Sequence, residues 1–261
     1  MKEMEKKYKL GVALSGGGAR GFAHLGVFKF MEEREIKPEI ISGTSAGALA
    51  GALFADGYTS EDIRRLFAGK DLLRLIRIHL PTSGIFDMGR LKDFLHKNLH
   101  AKRIEELKIP MVIVATDFDN GMACEFRQGD LVDAVIASCS IPIIFTPVVI
   151  NGVHYVDGGL FRNFPVTTIR QECKYVIGVN VTPLVRSKYE PNLLYVAERA
   201  YHYLYRANTF HDRRLCDFLV ETEDFDHYNM FNLKGADKIL KIGYEEARKV
   251  LDIPDIDTLI R

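Results

Sequence analysis

The chain has 261 residues, of which 47% are apolar and 27% charged. That is enough apolar material for the core of one large α/β domain, with a charged fraction too ordinary for a disordered chain. Thirty-five Lys and Arg balance 35 Asp and Glu, so no function is expected that depends on a global pull toward nucleic acid or anionic lipid.

Leu10 to Leu14 is a short apolar run ended by Ser15-Gly16-Gly17-Gly18 and reads as a buried strand. Gly21 to Arg34 follows with apolar residues near helical spacing, then a second strand is expected over Ile36 to Ile41. The Ala- and Leu-rich stretch after Ser45 suits a closely packed helix, with Gly57 available at its C-terminus. Strand, helix, strand, helix is the order of a mostly parallel sheet covered on both faces.

Residues 61–103 carry ten Lys or Arg against five Asp or Glu, and three His. Helices are expected near 60–69, 71–78 and 87–99. Ile109 to Phe118 is the clearest parallel-type strand, with Met122 to Arg127 as a short hairpin partner. Asp130 to Cys139 reads as a helix. Phe145 to Ile150 and Val153 to Val156 flank Asn151-Gly152, a strong hairpin turn because both residues accept positive φ cheaply. Tyr175 to Val181 is another core strand. Pro191 onward reads as a long helix reaching Cys216, Phe218 to Val220 as a strand, and Gly235 to Val250 as the last helix. The expected organisation is a single domain over 1–261, with a core at about 10–182 and a C-terminal helical extension at about 191–261.

Cys124, Cys139, Cys173 and Cys216 match no compact zinc spacing and no C-x-x-C pair, which points to free thiols in a reducing compartment. No stretch approaches 18 consecutive apolar residues, and acidic residues interrupt the basic N-terminus. Neither a membrane span nor a secretory signal is expected.

Chemistry is marked at two strand-to-helix junctions. Glycines in Gly16-Gly17-Gly18-Ala19-Arg20-Gly21 let a ligand approach backbone N–H groups, and the helix that follows adds partial positive charge. The loop lacks the Walker Lys-Ser/Thr pair, which leaves a nucleotide site, a structural turn and an anion or oxyanion site all open. Gly43-Thr44-Ser45-Ala46-Gly47 has the Gly-x-Ser-x-Gly form. At such a sharp turn the neighbours of the serine must be small, the hydroxyl projects above the sheet, and the Ala46 N–H is aimed at a developing oxyanion. The alternative is a Ser N-cap between packing glycines. A serine nucleophile needs a base, yet His79, His96, His100, His154, His202, His211 and His227 all lie in ordinary surface or helical contexts. Asp157 instead ends a strand before Gly158-Gly159, where a carboxylate can be set in a cleft; a lone Asp before glycines is also a common turn residue.

Together and in order, GGGARG at 16–21, GTSAG at 43–47 and DGG at 157–159 resemble the patatin-like phospholipase family, and its compact bacterial members in particular. The resemblance implies a three-layer α/β/α sandwich with a mostly parallel central sheet. It also implies a Ser-Asp dyad without histidine: Ser45 as nucleophile, Asp157 as base, and the backbone N–H groups of Gly17 and Gly18 as oxyanion donors, in a loop that Arg20 helps order. The activity implied is hydrolysis of lipid carboxylic esters through an acyl-enzyme, with no metal and no organic cofactor. General carboxylesterase or thioesterase activity, or a non-catalytic domain binding an anion or a partner, are the alternatives. The expected partner is a lipid or other acyl-ester substrate, with at most a weak peripheral membrane contact and no nucleic acid. The expected location is the cytoplasm, extending to the inner membrane surface. Residues 71–80 and 193–210 each carry apolar side chains among basic ones, a composition suited to bordering an acyl pocket or touching an anionic interface.

Overall fold

Eight strands form the main sheet of the computed structural model, which describes residues 6–68, 77–78, 84–183, 193–228, 235–253 and 256. The first strand, β1 (Tyr8–Leu14), is buried along its apolar half and leads through a 3-10 turn at Gly18–Gly21 into α1 (Phe22–Glu33). Next come β2 (Ile40–Thr44) and α2 (Ala46–Ala55). The second strand starts four residues later than expected. Pro38 has no N–H for a ladder, and the Ile36 N–H turns back to the Met31 carbonyl at 2.8 Å, so pairing begins only beyond them. Gly57 sits just past α2 with φ 104°, as its C-terminal role requires.

The helix α3 (Ser60–Phe67) starts at a capping box between Thr59 and Asp62. A helix over 71–78 is not what forms at its described end. Arg77–Ile78 is a strand, β3, paired antiparallel with β4 (Gly84–Asp87); residues 71–76 lie outside the described residues. A run with apolar residues at both spacings cannot distinguish helix from strand by periodicity, and here pairing decides. The next helix, α4 (Gly89–Asn98), falls within the expected 87–99.

The central strand β5 (Met111–Asp117) is paired with β6 (Met122–Phe126) as an antiparallel hairpin. Asp130 caps α5 (Leu131–Cys139) by accepting from the Asp133 N–H. The strand expected over 145–150 divides at Thr146-Pro147 into β7 (Ile143–Phe145), which joins β4 in a small second sheet, and β8 (Val148–Ile150), which joins the main one. The hairpin from β8 to β9 (Val153–Asp157) turns at Asn151 and Gly152, both at positive φ. Short helices α6 (Gly159–Arg162) and α7 (Thr167–Arg170) then lead to β10 (Cys173–Asn180). Beyond it lie α8 (Leu193–Arg213), β11 (Phe218–Glu221) and α9 (Ala236–Leu251).

The sheet order is β11-β10-β1-β2-β5-β9-β8, with β6 also paired to β5. Strands β11, β10, β1, β2 and β5 are mutually parallel, whereas β6, β8 and β9 bring the antiparallel pairings. This is the α/β/α sandwich with a largely parallel central sheet. Its largest core cluster joins α1, α2, α5 and α9 to one face, and a smaller one around Phe164 and Ile169 covers the other. Connections run from β1 to β2 on one side and from β10 to β11 on the other, so the crevice of such sheets opens between the carboxyl ends of β1 and β10, where the glycine loop leaves β1.

Candidate active site

Ser45 occupies the one-residue corner between β2 and α2, at φ 52° and ψ −120°. That backbone costs a residue with a side chain roughly 1–3 kcal/mol, so the surroundings must hold it. The Ser45 N–H donates to Ser138 Oγ at 2.8 Å, and that hydroxyl donates on to the Val114 carbonyl at 2.6 Å. Side chains at the flanking positions are barred: a Cβ on Gly43 would stand 2.6 Å from the Gly47 carbonyl oxygen, and one on Gly47 2.3 Å from that of Leu14.

Asp157 reaches the same place through sheet register. Thr44 lies beside Val114 in the β2–β5 pairing and Asp157 beside Ala115 in the β5–β9 pairing, and because β6 takes the other edge of β5 at both positions, β2 and β9 meet end to end along one edge. Close approach reinforces this, since a Cβ on Gly158 would stand 2.3 Å from the Val114 oxygen and 3.1 Å from Thr44 Cγ2. The Asp157 side chain is fully buried. Its Oδ1 accepts from the Gly159 N–H at 2.7 Å, while Oδ2 has no hydrogen-bond partner among the described residues. Burial drives the carboxyl up to about 7, opposed by the nearby Ser45 hydroxyl and by the Gly159 N–H. The Ser45 hydroxyl is therefore near enough to act on the carboxyl electrostatically, without a hydrogen bond of ordinary geometry to Oδ2. Cys139, also buried against Ser45, has its thiol pushed well up by burial and by the Asp157 charge, so it stays neutral.

The glycine loop closes the third side. Gly16 donates its N–H to the Asn163 carbonyl at 3.0 Å, and a Cβ there would stand 2.4 Å from Asn163 Oδ1 and 3.2 Å from Ser45 Cβ. Gly18 has φ 56°, a left-handed conformation that favours glycine. The N–H groups of Gly17, Gly18 and Ala46 have no hydrogen-bond partner among the described residues. Ala19 is buried; Gly21 abuts α2, where a Cβ would stand 2.7 Å from that of Ala46. Arg20 is buried too, and its Nε donates to the Tyr228 carbonyl at 2.9 Å, which ties the loop to the chain before α9. All three motifs thus meet at one end of the sheet. Thr44 Oγ1 adds a bond to the Arg162 carbonyl.

Sequence reasoning passed over four supports. His24, fully buried one turn into α1, lies 2.9 Å through Nε2 from the Ser15 carbonyl, which makes that nitrogen the donor; burial lowers its pKa to about 4. Ser138 holds the elbow. Asn163 donates from Nδ2 to Thr182 Oγ1 at 2.9 Å and accepts Gly16, joining the glycine loop to the segment after Asp157. Asn208 on α8 accepts from the Asn163 N–H and donates to the Gly159 carbonyl at 2.9 Å. His24 carried a signal in its place three residues after the glycine loop, and Asn163 in its place four residues after the DGG motif, whereas Ser138 and Asn208 lie far from all three motifs in sequence. His154 faces Asp119 at the surface, and His100 binds the buried Asp56 carboxylate. No group of three or more His, Cys, Asp or Glu side chains could hold a metal among the described residues.

The family model for patatin-like phospholipases matches residues 12–169. An uncharacterised NTE family protein of Mycobacterium tuberculosis is 32% identical over 163 residues, which cover 62% of this chain and 45% of that protein. YqhO of Bacillus subtilis, also uncharacterised, is 30% identical over 213 residues, 69% of this chain and 73% of its own. Lysophospholipase NTE1 of Kluyveromyces lactis is 33% identical over 179 residues, only 12% of its length. The chain thus spans less than half of the mycobacterial relative and a small part of the yeast one. Among solved structures, VipD from Legionella pneumophila superposes with a TM-score of 0.56 over 94% of this chain and 67% of its own, at 18% identity. That likeness concerns the fold alone.

Proposed function

The chain belongs to the patatin-like phospholipase family, and from that premise we propose that it hydrolyses carboxylic esters of lipids through a Ser45–Asp157 dyad and an acyl-enzyme. One observation carries the reading. A fully buried carboxyl, raised to about 7 and with an uncommitted Oδ2, faces a serine hydroxyl held at a strained strand-to-helix corner. An ordinary carboxylate is too weak a base to deprotonate an alcohol usefully; burial narrows that gap.

In the acylation step Ser45 Oγ attacks the ester carbonyl carbon while its proton passes to Asp157 Oδ2. The carbonyl oxygen takes up negative charge against the N–H groups of Gly17, Gly18 and Ala46. Collapse of the tetrahedral intermediate breaks the bond to the alcohol, which leaves with the proton from Asp157. Water then repeats the sequence on the acyl-enzyme, giving its proton to Asp157 and releasing the fatty acid as Ser45 recovers its own. One oxyanion donor is worth roughly 3 kcal/mol in serine hydrolases of this kind. Gly159 N–H, bonded to Oδ1, leaves Oδ2 as the basic oxygen.

A fluorophosphonate probe should label the wild-type protein at Ser45, and Ser45→Ala should abolish both labelling and hydrolysis of a p-nitrophenyl acyl ester. Asp157→Asn should cost nearly as much, and the double variant little more, because the two act as a unit. More than a few per cent of turnover surviving in Ser45→Ala would falsify the assignment.

A further inference from the structure

The described side chains of helix α8 divide between two faces of unlike character. Tyr205, Thr209 and Asp212 are 2–5% exposed, and with Asn208 they form the stripe that packs on the chain after Asp157. The Asp212 carboxylate accepts from the Thr167 N–H, and a Cβ on Gly159 would stand 2.2 Å from the Tyr205 ring. Helices covering a sheet ordinarily bury their apolar stripe. Here, among the described side chains, Asn208 and Asp212 dock the helix by hydrogen bonds beside the buried Tyr205 ring, and the opposite stripe carries Val196, Tyr203, Leu204 and Phe210 at 43–54% exposure. Phe161 of α6 is 45% exposed as well.

We propose that this outer stripe of α8 is the surface by which the protein lies on an anionic lipid bilayer. Charge selects that occupant. The Arg199 guanidinium stacks on the Tyr203 ring at 5.1 Å and that of Arg214 on the Phe210 ring at 4.5 Å, so cations alternate with apolar groups along the stripe. The acid of this helix whose side chain is described, Asp212, lies on the docked face instead. A second copy of the chain would bring the same cations against each other, whereas phosphate headgroups complement them and acyl chains receive the aromatic and aliphatic groups. The helix lies in the interface and does not cross it: no helix among the described residues is long and apolar enough to span a membrane. Such binding is local and consistent with a net charge of zero over the whole chain. It places the Asp157 side of the sheet toward the lipid, because Asn208 on the docked stripe holds the carbonyls of Gly159 and Leu160.

The inference goes beyond the dyad and does not depend on it, since binding is read on the Ser45→Ala protein, which leaves the vesicles intact. Flotation with phosphatidylcholine vesicles, with and without phosphatidylglycerol, should show binding that requires the anionic lipid and weakens with salt. Leu204→Ser with Phe210→Ser should reduce it about tenfold or more. Arg199→Gln with Arg214→Gln should reduce it roughly fivefold per arginine and flatten the salt dependence. In the Ser45 background, both pairs should leave hydrolysis of a short soluble ester unchanged, which shows the fold intact. The proposal is overturned if the protein ignores anionic vesicles, or if both pairs bind as the parent does. It is equally overturned if light scattering finds a dimer that the Leu204/Phe210 pair dissociates, for then a second copy covers the stripe.

Discussion

Asp157 is where a residue's surroundings alter its chemistry most. Its carboxyl, raised to about 7 by burial, is protonated well into the range where a free aspartate is fully ionised. Only the ionised form can take the Ser45 proton. The value of kcat/KM for a neutral ester should therefore climb tenfold per pH unit below about 7 and level off above it. The buried His24 beside the glycine loop cannot supply that limb, because it is held near 4 and donates to the Ser15 carbonyl. A limb near pH 4, or none between 5 and 8, would remove Asp157 from the role of base.

Among the elements, α5 does more than cover the sheet. Its Ser138 hydroxyl bridges the Ser45 N–H and the Val114 carbonyl, and so couples β2, β5 and α2 at the strained corner. Ser138→Ala leaves two buried backbone groups without a partner, at about 1–3 kcal/mol for each. It should lower Tm and reduce kcat with little change in KM, since the elbow loosens while the acyl-binding surface stays. Ser140→Ala is the control. That hydroxyl bonds the Ile136 carbonyl of its own helix, and its loss should leave kcat nearly intact. Equal losses of kcat in the two variants would make Ser138 a packing residue only.

Two buried groups give the whole molecule opposing pH responses. Asp157 has a folded pKa above its unfolded value of 3.8, so the native state holds the extra proton between about 4 and 7, and stability from this group falls as pH rises through that window. His24 has a folded pKa near 4 against 6.5, so the unfolded state holds the extra proton there, and stability falls as pH drops from about 6.5 to 4. Each contributes about 1.4 kcal/mol per pH unit at most, and between 4 and 6.5 they largely cancel. Urea unfolding at pH 4.5, 6 and 7.5 should show Asp157→Asn losing stability in acid faster than wild type, while gaining at pH 7.5. His24→Gln, which keeps a donor for Ser15, should become relatively more stable in acid. Parallel curves for all three proteins would mean that neither group titrates as its burial requires.

The sequence by itself determined the elements whose signal is local. Apolar runs placed β1, closed by the glycine loop, and β5, Asn151-Gly152 placed a hairpin because both residues accept positive φ, and Asp130 marked the start of α5. It also located the three motifs, since a sharp strand-to-helix corner and close backbone approach admit only small residues at fixed spacing. Long-range pairing lay beyond it. Pro38 delayed β2, Thr146-Pro147 divided β7 from β8, and Arg77–Ile78 became a strand because β4 was there to pair with it. The buried state of Asp157, and with it the raised carboxyl, depends on β9 lying beside β5 in one register. His24, Ser138 and Asn163 acquired their places only when residues distant in the chain were folded against the glycine loop and the elbow. Helix α8 likewise reads in sequence as mixed apolar and basic; that Asn208 and Asp212 face the core was decided by the backbone groups after Asp157 and at Thr167, which needed hydrogen-bond partners that apolar side chains could not provide.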